Sequence, residues 1–307
     1  MEEDDAESLR LIIRQHDDLS LYHGMLRDLS TLLTAHYGEP TVILIDEYDA
    51  PIQAAYARGF YNDAVDFFRT FLTEGFKENP NLFKGAMTGV LRVAKEGVLS
   101  GLNNVEVYSV LGDKYATAFG FTDAEVQKLA TDMGTPEVAD ELRAWYDGYR
   151  IDGHAIYNPW SVMMYAKHRS QGFKAHWVNT SSDDVLRSLV LEKGLAMTKD
   201  LEAVIRGETV TKVISEHVVL RDLDRDEDAI WSLLLMSGYL TARTQERLGA
   251  RMQVELAIPN REVKCAFEEG VMSWVKAGLG GIDNVRELCN RAGSGGGGAD
   301  PDLRRGV

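Results

Sequence analysis

The stretch "VILIDEYDAPI", residues Val42 to Ile52, decides the class of fold. Residues Thr41 to Ile45 are all β-branched or aliphatic and show no alternation with polar residues. Such a run is typical of a strand buried on both faces, as in a parallel sheet. Carboxylates follow at once, at Asp46, Glu47 and Asp49. Because functional groups collect beyond the carboxyl ends of parallel strands, these acids are candidates for a site.

Four apolar residues followed by Asp-Glu are the Walker B pattern of P-loop ATPases. Mg²⁺ prefers oxygen ligands and is often held by one or two carboxylates, directly or through water. Asp46 is therefore the predicted Mg²⁺ ligand and Glu47 the predicted activator of water. The same sequence pattern also occurs where a strand simply ends in solvent-exposed acids, so the pattern alone leaves both interpretations open. Asp49 is expected to belong to the turn into Pro51.

The end of the next predicted strand, Phe83 to Thr88, adds a second group of polar residues. Thr88 is placed to sense a terminal phosphate, and Arg92 and Lys95 are placed to reach phosphate oxygens. A threonine at a strand end is also a common cap. The sequence contains no phosphate-binding loop of the form GxxxxGK followed by Ser or Thr. We therefore expect weak nucleotide binding by this chain.

The surrounding pattern predicts an α/β domain. Helices are predicted over residues 21–37 and 61–77, and further strands over 83–88 and 105–110. Strand, helix and strand at this spacing indicate the βαβ arrangement of a parallel sheet.

From residue 122 the pattern becomes mainly helical. Thr122 and Glu125 form a predicted capping box, and Asn158-Pro159 predicts a second helix start. A helix over 226–237 is followed by two alternating segments, which predict a hairpin like the wing of a winged-helix module. The aromatic residues between 145 and 160 are expected to form a packed core rather than a base-stacking surface.

Composition limits the classes of partner. The 307 residues carry a formal net charge of −15 and a sequence pI of about 4.9. This balance argues against a general binder of nucleic acid, although it leaves room for a local basic site. Cys265 and Cys289 show no metal-binding spacing, no secretory signal is visible, and no run of about 18 apolar residues predicts a membrane span. A cytoplasmic protein is the expectation.

Several segments together resemble the bacterial AAA-ATPase-like family, whose members often carry a C-terminal PD-(D/E)XK nuclease-type domain. They are "VILIDEYDAPI", "MTGVLRVAKEGVLSGLNNVEVYS", "YATAFGFTDAEV", "WYDGYRIDGHAIYNPWSV", "WVNTSS", "LLLMSGYLT" and "LAIPNREV". The resemblance implies a P-loop NTPase core of the ASCE type, with ATP and Mg²⁺ as cofactors. It implies Walker B roles for Asp46 and Glu47 and a sensor role for Thr88, whereas the phosphate contact of Arg92 is predicted from its position just beyond the strand. The family's Walker A segment and nuclease domain have no counterpart here, so the sequence resembles a fragment.

The predicted organisation has four parts. Residues 1–121 form a partial P-loop ATPase core, and 122–264 form a helical and winged-helix-like region. Residues 265–292 form a short helical stretch, and 293–307 form a flexible glycine-rich tail.

Two further functions stay open. The winged-helix-like half could serve a non-catalytic interaction, with the net charge favouring a protein partner over nucleic acid. Glu262 and Lys264 match half of a metal-dependent nuclease motif, although Pro259-Asn260 interrupts the strand that such a motif needs.

Overall fold

The segment after residue 40 forms a parallel pair of strands flanked by helices. The computed structural model describes residues 10–90, 97–99, 101–177, 197, 199–216, 220, 223, 226–249 and 251–268. Its first elements are α1 (Ser20–His23), α2 (Met25–Tyr37), β1 (Thr41–Ile45), α3 (Ala50–Arg58), α4 (Tyr61–Phe76) and β2 (Leu82–Met87). β1 and β2 pair in parallel, with Ile43 opposite Gly85 and Ile45 opposite Met87. The βαβ prediction is thereby confirmed, and α3 is an element that the sequence pattern did not predict.

One expectation for β1 is wrong. Its side chains alternate between partly buried and exposed, and Val42 and Leu44 are 56% and 75% exposed. Helices α2 and α4 pack against the two strands. The apolar run of β1 is thus buried on one face only within the described residues, because burial of the other face requires an element that the strand's own sequence does not specify.

The following region is mainly helical and has short hairpins. Its elements are α5 (Asp123–Asp132), a 3₁₀ turn (Pro136–Val138), α6 (Ala139–Tyr146), β3 (Tyr149–Ile151), β4 (His154–Ile156), α7 (Pro159–His168) and a second 3₁₀ turn (Arg169–Gln171). The strand predicted over 105–110 is wrong, because that stretch is irregular. Its Val105 and Val107 are 37% and 41% exposed, so their apolar character does not reflect a buried strand.

The predicted helix starts are confirmed in detail. The Thr122 side chain accepts a hydrogen bond from the Glu125 backbone N–H, and the Glu125 carboxylate accepts one from the Thr122 backbone N–H. The Asn158 side chain accepts from the Ser161 backbone N–H, and Pro159 stands at the first helical position. Each cap satisfies backbone donors that the first turn of a helix leaves without partners.

The last described elements are β5 (Val210–Ile214), α8 (Glu227–Met236), β6 (Thr241–Leu248), β7 (Arg251–Ala257) and α9 (Arg261–Ala266). The three strands form a sheet in the order β5, β7, β6. The helix and the two predicted strands of the hairpin are therefore present. Residues 269–307, which include the predicted glycine-rich tail and Cys289, lie outside the described residues.

The chain divides into two compact units. The first contains the residues up to Phe119 together with Arg150–His154 and Lys212–Val254, and the second contains Gly120–Tyr149, Ala155–Thr211 and the segment from Glu255 onward. In the second unit the helices enclose an aromatic core that includes Tyr146, Tyr157 and Tyr165. Tyr146 and Tyr157 are almost completely buried, as expected for a packed core, whereas Trp160 is 51% exposed. None of the described helices is long and apolar enough to cross a membrane.

Candidate functional site

The two parallel strands of the first unit bring Asp46 and Thr88 together. Each follows the last residue of its strand, and the Thr88 backbone N–H donates to the Ile45 carbonyl at 2.9 Å. The Thr88 hydroxyl Oγ1 donates a hydrogen bond to Asp46 Oδ1. The other carboxylate oxygen, Asp46 Oδ2, receives no hydrogen bond from the described residues and the side chain is exposed. One oxygen of Asp46 is therefore fixed and the other is open to a ligand.

Glu47 has an unusual backbone conformation at this point. Its φ angle is +52°, in the left-handed region that costs a non-glycine residue of order 1 kcal/mol or more. Its backbone N–H lies 3.1 Å from Asp46 Oδ1 and 3.4 Å from Thr88 Oγ1, and its carbonyl accepts from the Ala50 N–H at 3.0 Å. These bonds hold the turn, while the Glu47 carboxylate remains exposed and makes no bond with the described residues.

Asp49 has a role that the sequence did not reveal. It is 1% exposed, although it was expected to be an ordinary turn residue. Its Oδ2 accepts from Gln53 Nε2 at 2.8 Å, and its Oδ1 accepts from the Val90 backbone N–H at 3.3 Å. The carboxylate therefore links the start of α3 to the chain that leaves β2, and it holds Thr88 beside Asp46.

Gly89 permits this close approach. A Cβ atom at residue 89 would lie 2.5 Å from Asp49 Oδ1 and 2.8 Å from the Tyr48 ring. Those distances are shorter than atomic contacts allow, so a side chain at this position would push the turn and the β2 end apart.

The site has the ligand types for Mg²⁺ but not a complete protein cage. Within the described residues, no group of three or more His, Cys, Asp or Glu side chains is placed to hold a metal ion. Mg²⁺ commonly uses one or two carboxylates and takes its other oxygens from water and phosphate. Asp46 Oδ2 and the neighbouring Thr88 hydroxyl fit that mode of binding. Arg92 and Lys95, which were predicted to contact phosphate, lie outside the described residues.

The second unit contains a separate buried acid, Glu262. It is fully buried, and its Oε1 accepts from the backbone N–H groups of His176 at 2.5 Å and Trp177 at 2.8 Å. Its Oε2 accepts from Ser161 Oγ at 2.7 Å. Burial raises the pKa of Glu262 above its usual value, although the three hydrogen bonds act in the opposite direction.

This geometry argues against a nuclease role for Glu262 and Lys264. Both residues lie on helix α9 rather than on a strand, and the Asn260 side chain caps that helix by accepting from the Val263 N–H. Lys264 Nζ lies 3.9 Å from a Glu268 carboxylate oxygen at a partly exposed position, whereas Glu262 is enclosed. The two groups do not form a joint site.

Comparison with known proteins gives a match in the part of the chain that contains the candidate nucleotide site. Residues 4–99 match the model of the AAA-ATPase-like family, which is described as "Predicted AAA-ATPase". This part of the chain is similar to that family. The matched range contains β1, β2 and every predicted nucleotide-site residue.

A curated relative extends the similarity beyond that range without adding a known activity. The chain is 29% identical over 236 residues to "Uncharacterized protein in vnfD 5'region" of Azotobacter chroococcum mcd 1. The aligned region covers 76% of this chain and 43% of the relative, so the chain spans less than half of the relative's length. No solved structure matches.

Proposed function

We propose that the ends of β1 and β2 form the cation and phosphate end of an ATPase-type nucleotide site. The observation that carries this proposal is the pairing of Asp46 and Thr88 at the carboxyl ends of two parallel strands. The match of residues 4–99 to the AAA-ATPase-like family supports the choice of ATP as the nucleotide.

Each side chain has a distinct role in the proposal. Asp46 would hold Mg²⁺ through its open Oδ2, and Thr88 would fix the other oxygen and face the terminal phosphate. A bound Mg²⁺ neutralises charge on phosphate oxygens. Glu47, with its exposed and unbonded carboxylate, would orient the attacking water and receive its proton. Arg92 remains the proposed phosphate ligand from sequence.

The same proposal predicts weak ATP binding by this chain. Walker B acids act on a phosphate that a glycine-rich loop and its lysine hold, and the 307 residues contain no such loop motif. We expect a dissociation constant near or above about 1 mM, which corresponds to a binding free energy of about −4 kcal/mol or weaker.

Calorimetric titration with ATP and Mg²⁺ tests the proposal. The expected result is weak binding that requires Mg²⁺ and is reduced by Asp46→Asn. The matched control is Asp63→Asn, because Asp63 is an exposed acid of the same unit that makes no ion pair with the described residues. Micromolar ATP affinity would contradict the expected weakness, and an equal effect of both variants would contradict the role of Asp46.

The winged-helix-like interaction module is a second candidate, and the order of α8, β6 and β7 favours it. Helix α8, however, has seven consecutive buried residues from Ala229 to Leu235. It offers no open polar face over that length, so an interaction of this region with a partner would have to use the strands.

A further inference from the structure

Asp49 stands where an aspartate usually caps a helix, but its side chain does not form a cap. It is the residue directly before α3, and its carbonyl accepts from the Gln53 backbone N–H at 2.9 Å. An aspartate at this position commonly accepts from the second or third backbone N–H of the helix. The structure describes the whole first turn of α3, and no backbone N–H in it donates to the Asp49 carboxylate.

The first turn of α3 has little need of a cap from this side chain. Pro51 stands within it and has no N–H. The Ala50 N–H already donates to the Glu47 carbonyl at 3.0 Å. The Asp49 carboxylate is therefore free to serve another purpose without a large cost to the helix.

That carboxylate forms a bridge to the chain that leaves β2. Its Oδ1 accepts from the Val90 backbone N–H at 3.3 Å, and its Oδ2 accepts from Gln53 Nε2 at 2.8 Å. The side chain is 1% exposed, whereas Asp46 is exposed. Asp49 is thus enclosed in the protein and is not placed to take up a cation from solvent.

The bridge completes a series of bonds that surround Thr88. The Thr88 N–H donates to the Ile45 carbonyl, and the Tyr48 N–H donates to the Thr88 carbonyl, each at 2.9 Å. These two bonds continue the pairing of β1 and β2 beyond the strand ends. The bond from Val90 to Asp49 fixes the chain two residues further on. Thr88 is consequently held on both sides, with its hydroxyl directed at Asp46.

We infer that Asp49 is a positioning residue of the cation site at the ends of β1 and β2. It holds the Thr88 hydroxyl beside Asp46 and thereby sets the affinity of Asp46 for a divalent cation, without touching the cation itself. The inference rests on the proposed function, because it assigns Asp49 a role in that same site. Loss of a residue that supports a metal ligand commonly lowers metal affinity about 10- to 100-fold.

Titration of the full chain with Mn²⁺ tests the inference, with broadening of the amide NMR signals of residues 45–48 and 87–89 as the readout. Serine caps helices about as well as aspartate but is too short to bridge to Val90. Asp49→Ser should therefore raise the dissociation constant for Mn²⁺ about tenfold. Asparagine has the length of aspartate, so its amide oxygen can accept from Val90 and its amide nitrogen can donate to a rotated Gln53 side chain. Asp49→Asn should retain an affinity close to that of the unmodified chain.

Two further variants serve as controls for charge and for folding. Asp63→Ser removes the same charge from an exposed acid of the same unit and should leave the affinity unchanged. Gln53→Ala removes one of the two hydrogen bonds that hold the Asp49 carboxylate. We expect it to raise the dissociation constant about threefold, as for the loss of one hydrogen bond of ordinary strength. It keeps the inference testable if Asp49→Ser does not fold.

Hydrogen exchange of backbone amides reports the same geometry without a cation. The Tyr48 and Thr88 amides should exchange about tenfold faster in Asp49→Ser than in the unmodified chain, and Asp49→Asn should restore slow exchange. A purely structural role would instead accelerate exchange throughout the first unit.

Four results decide between these possibilities. Unchanged Mn²⁺ affinity in Asp49→Ser, or faster exchange spread over the whole unit, would overturn the inference. Equal losses of affinity in Asp49→Ser and Asp49→Asn would overturn it as well, because charge rather than position would then be the cause. If the unmodified chain shows no broadening at the strand ends, the proposed cation site fails, and the exchange of Tyr48 and Thr88 alone shows whether Asp49 holds Thr88 in place.

Discussion

Glu262 offers the sharpest test of how the second unit is held together. Replacement by alanine would remove the acceptor of three hydrogen bonds, from Ser161 Oγ and from the backbone N–H groups of His176 and Trp177. Glu262 and Ser161 are completely buried, and His176 and Trp177 are partly buried. A buried donor left without a partner costs about 1–3 kcal/mol, and the cavity left by a shorter side chain adds to that cost.

Glu262→Gln should behave differently from Glu262→Ala. The glutamine carbonyl can accept from the two backbone N–H groups, and its amide can donate to the Ser161 hydroxyl. Because glutamine also carries no buried charge, we expect it to change the free energy of unfolding by less than about 1 kcal/mol. We expect Glu262→Ala to lower it by about 3–5 kcal/mol, from three donors that lose their acceptor and from the cavity that remains.

The pH dependence of stability provides a second readout. Burial raises the pKa of Glu262 in the folded chain above the ordinary value of 4.5. At a pH between 4.5 and the raised pKa, the folded chain keeps a proton on Glu262 that the unfolded chain has lost. Glu262 therefore makes the free energy of unfolding fall as pH rises. The free energy of unfolding of the unmodified chain should therefore rise relative to that of Glu262→Gln as pH falls from 7 toward 4.5.

Urea unfolding followed by tryptophan fluorescence measures both effects. Glu141→Ala is the control, because Glu141 pairs with Arg261 on the surface, with side chains that are 48% and 56% exposed. An exposed pair contributes about 0–1 kcal/mol. The reasoning is refuted if Glu262→Ala costs no more than Glu141→Ala, or if alanine and glutamine at position 262 cost the same.

Three other substitutions test local features of the structure. Thr122→Ala removes the capping box of α5 and should lower the free energy of unfolding by about 1 kcal/mol, whereas Thr131→Ala on the same helix should cost less; urea titration compares them. Asp123→Asn tests a carboxyl whose pKa is lowered by hydrogen bonds from Arg143 and Tyr157: the native chain should lose stability as pH falls through that lowered pKa, and acid titration of the variant should lack this loss. Gly89→Ala should destabilise the first unit by about 1–3 kcal/mol through contact with Asp49 and Tyr48, and thermal unfolding that matches the unmodified chain would show that the turn accommodates a side chain.

Local sequence signals predicted much of the secondary structure. β1 was predicted over Thr41 to Ile45 and has those bounds, and the caps at Thr122 and Asn158 are present. Each of these features depends on residues within a few positions of one another, so the local sequence is sufficient to predict it.

Features that depend on distant contacts were missed. The burial of β1 is set by the elements that pack on the sheet. Val42 and Leu44 are exposed, although they are of residue types that are usually buried. Asp49 is fixed by Val90, 41 residues away, and Glu262 by Ser161, 101 residues away. No local pattern distinguishes these buried carboxylates from surface acids.

The candidate site was predicted in part. Asp46 and Thr88 were expected at the ends of two neighbouring strands, and parallel strands have their carboxyl ends at one edge of the sheet. The left-handed backbone of Glu47 had no sequence signal, since such a conformation is uncommon for residues other than glycine. Arg92 stays a prediction from sequence.

Asp46 and Thr88 are proposed to mark a divalent-cation site at the ends of β1 and β2, and paramagnetic broadening of backbone amide NMR signals by Mn²⁺ detects a cation bound there. We expect selective loss of the signals of residues 45–48 and 87–89 at low Mn²⁺ concentration. Asp46→Asn should abolish this effect, and Asp63→Asn should preserve it. Broadening elsewhere in the chain, or broadening at the strand ends that persists in Asp46→Asn, would contradict the claim.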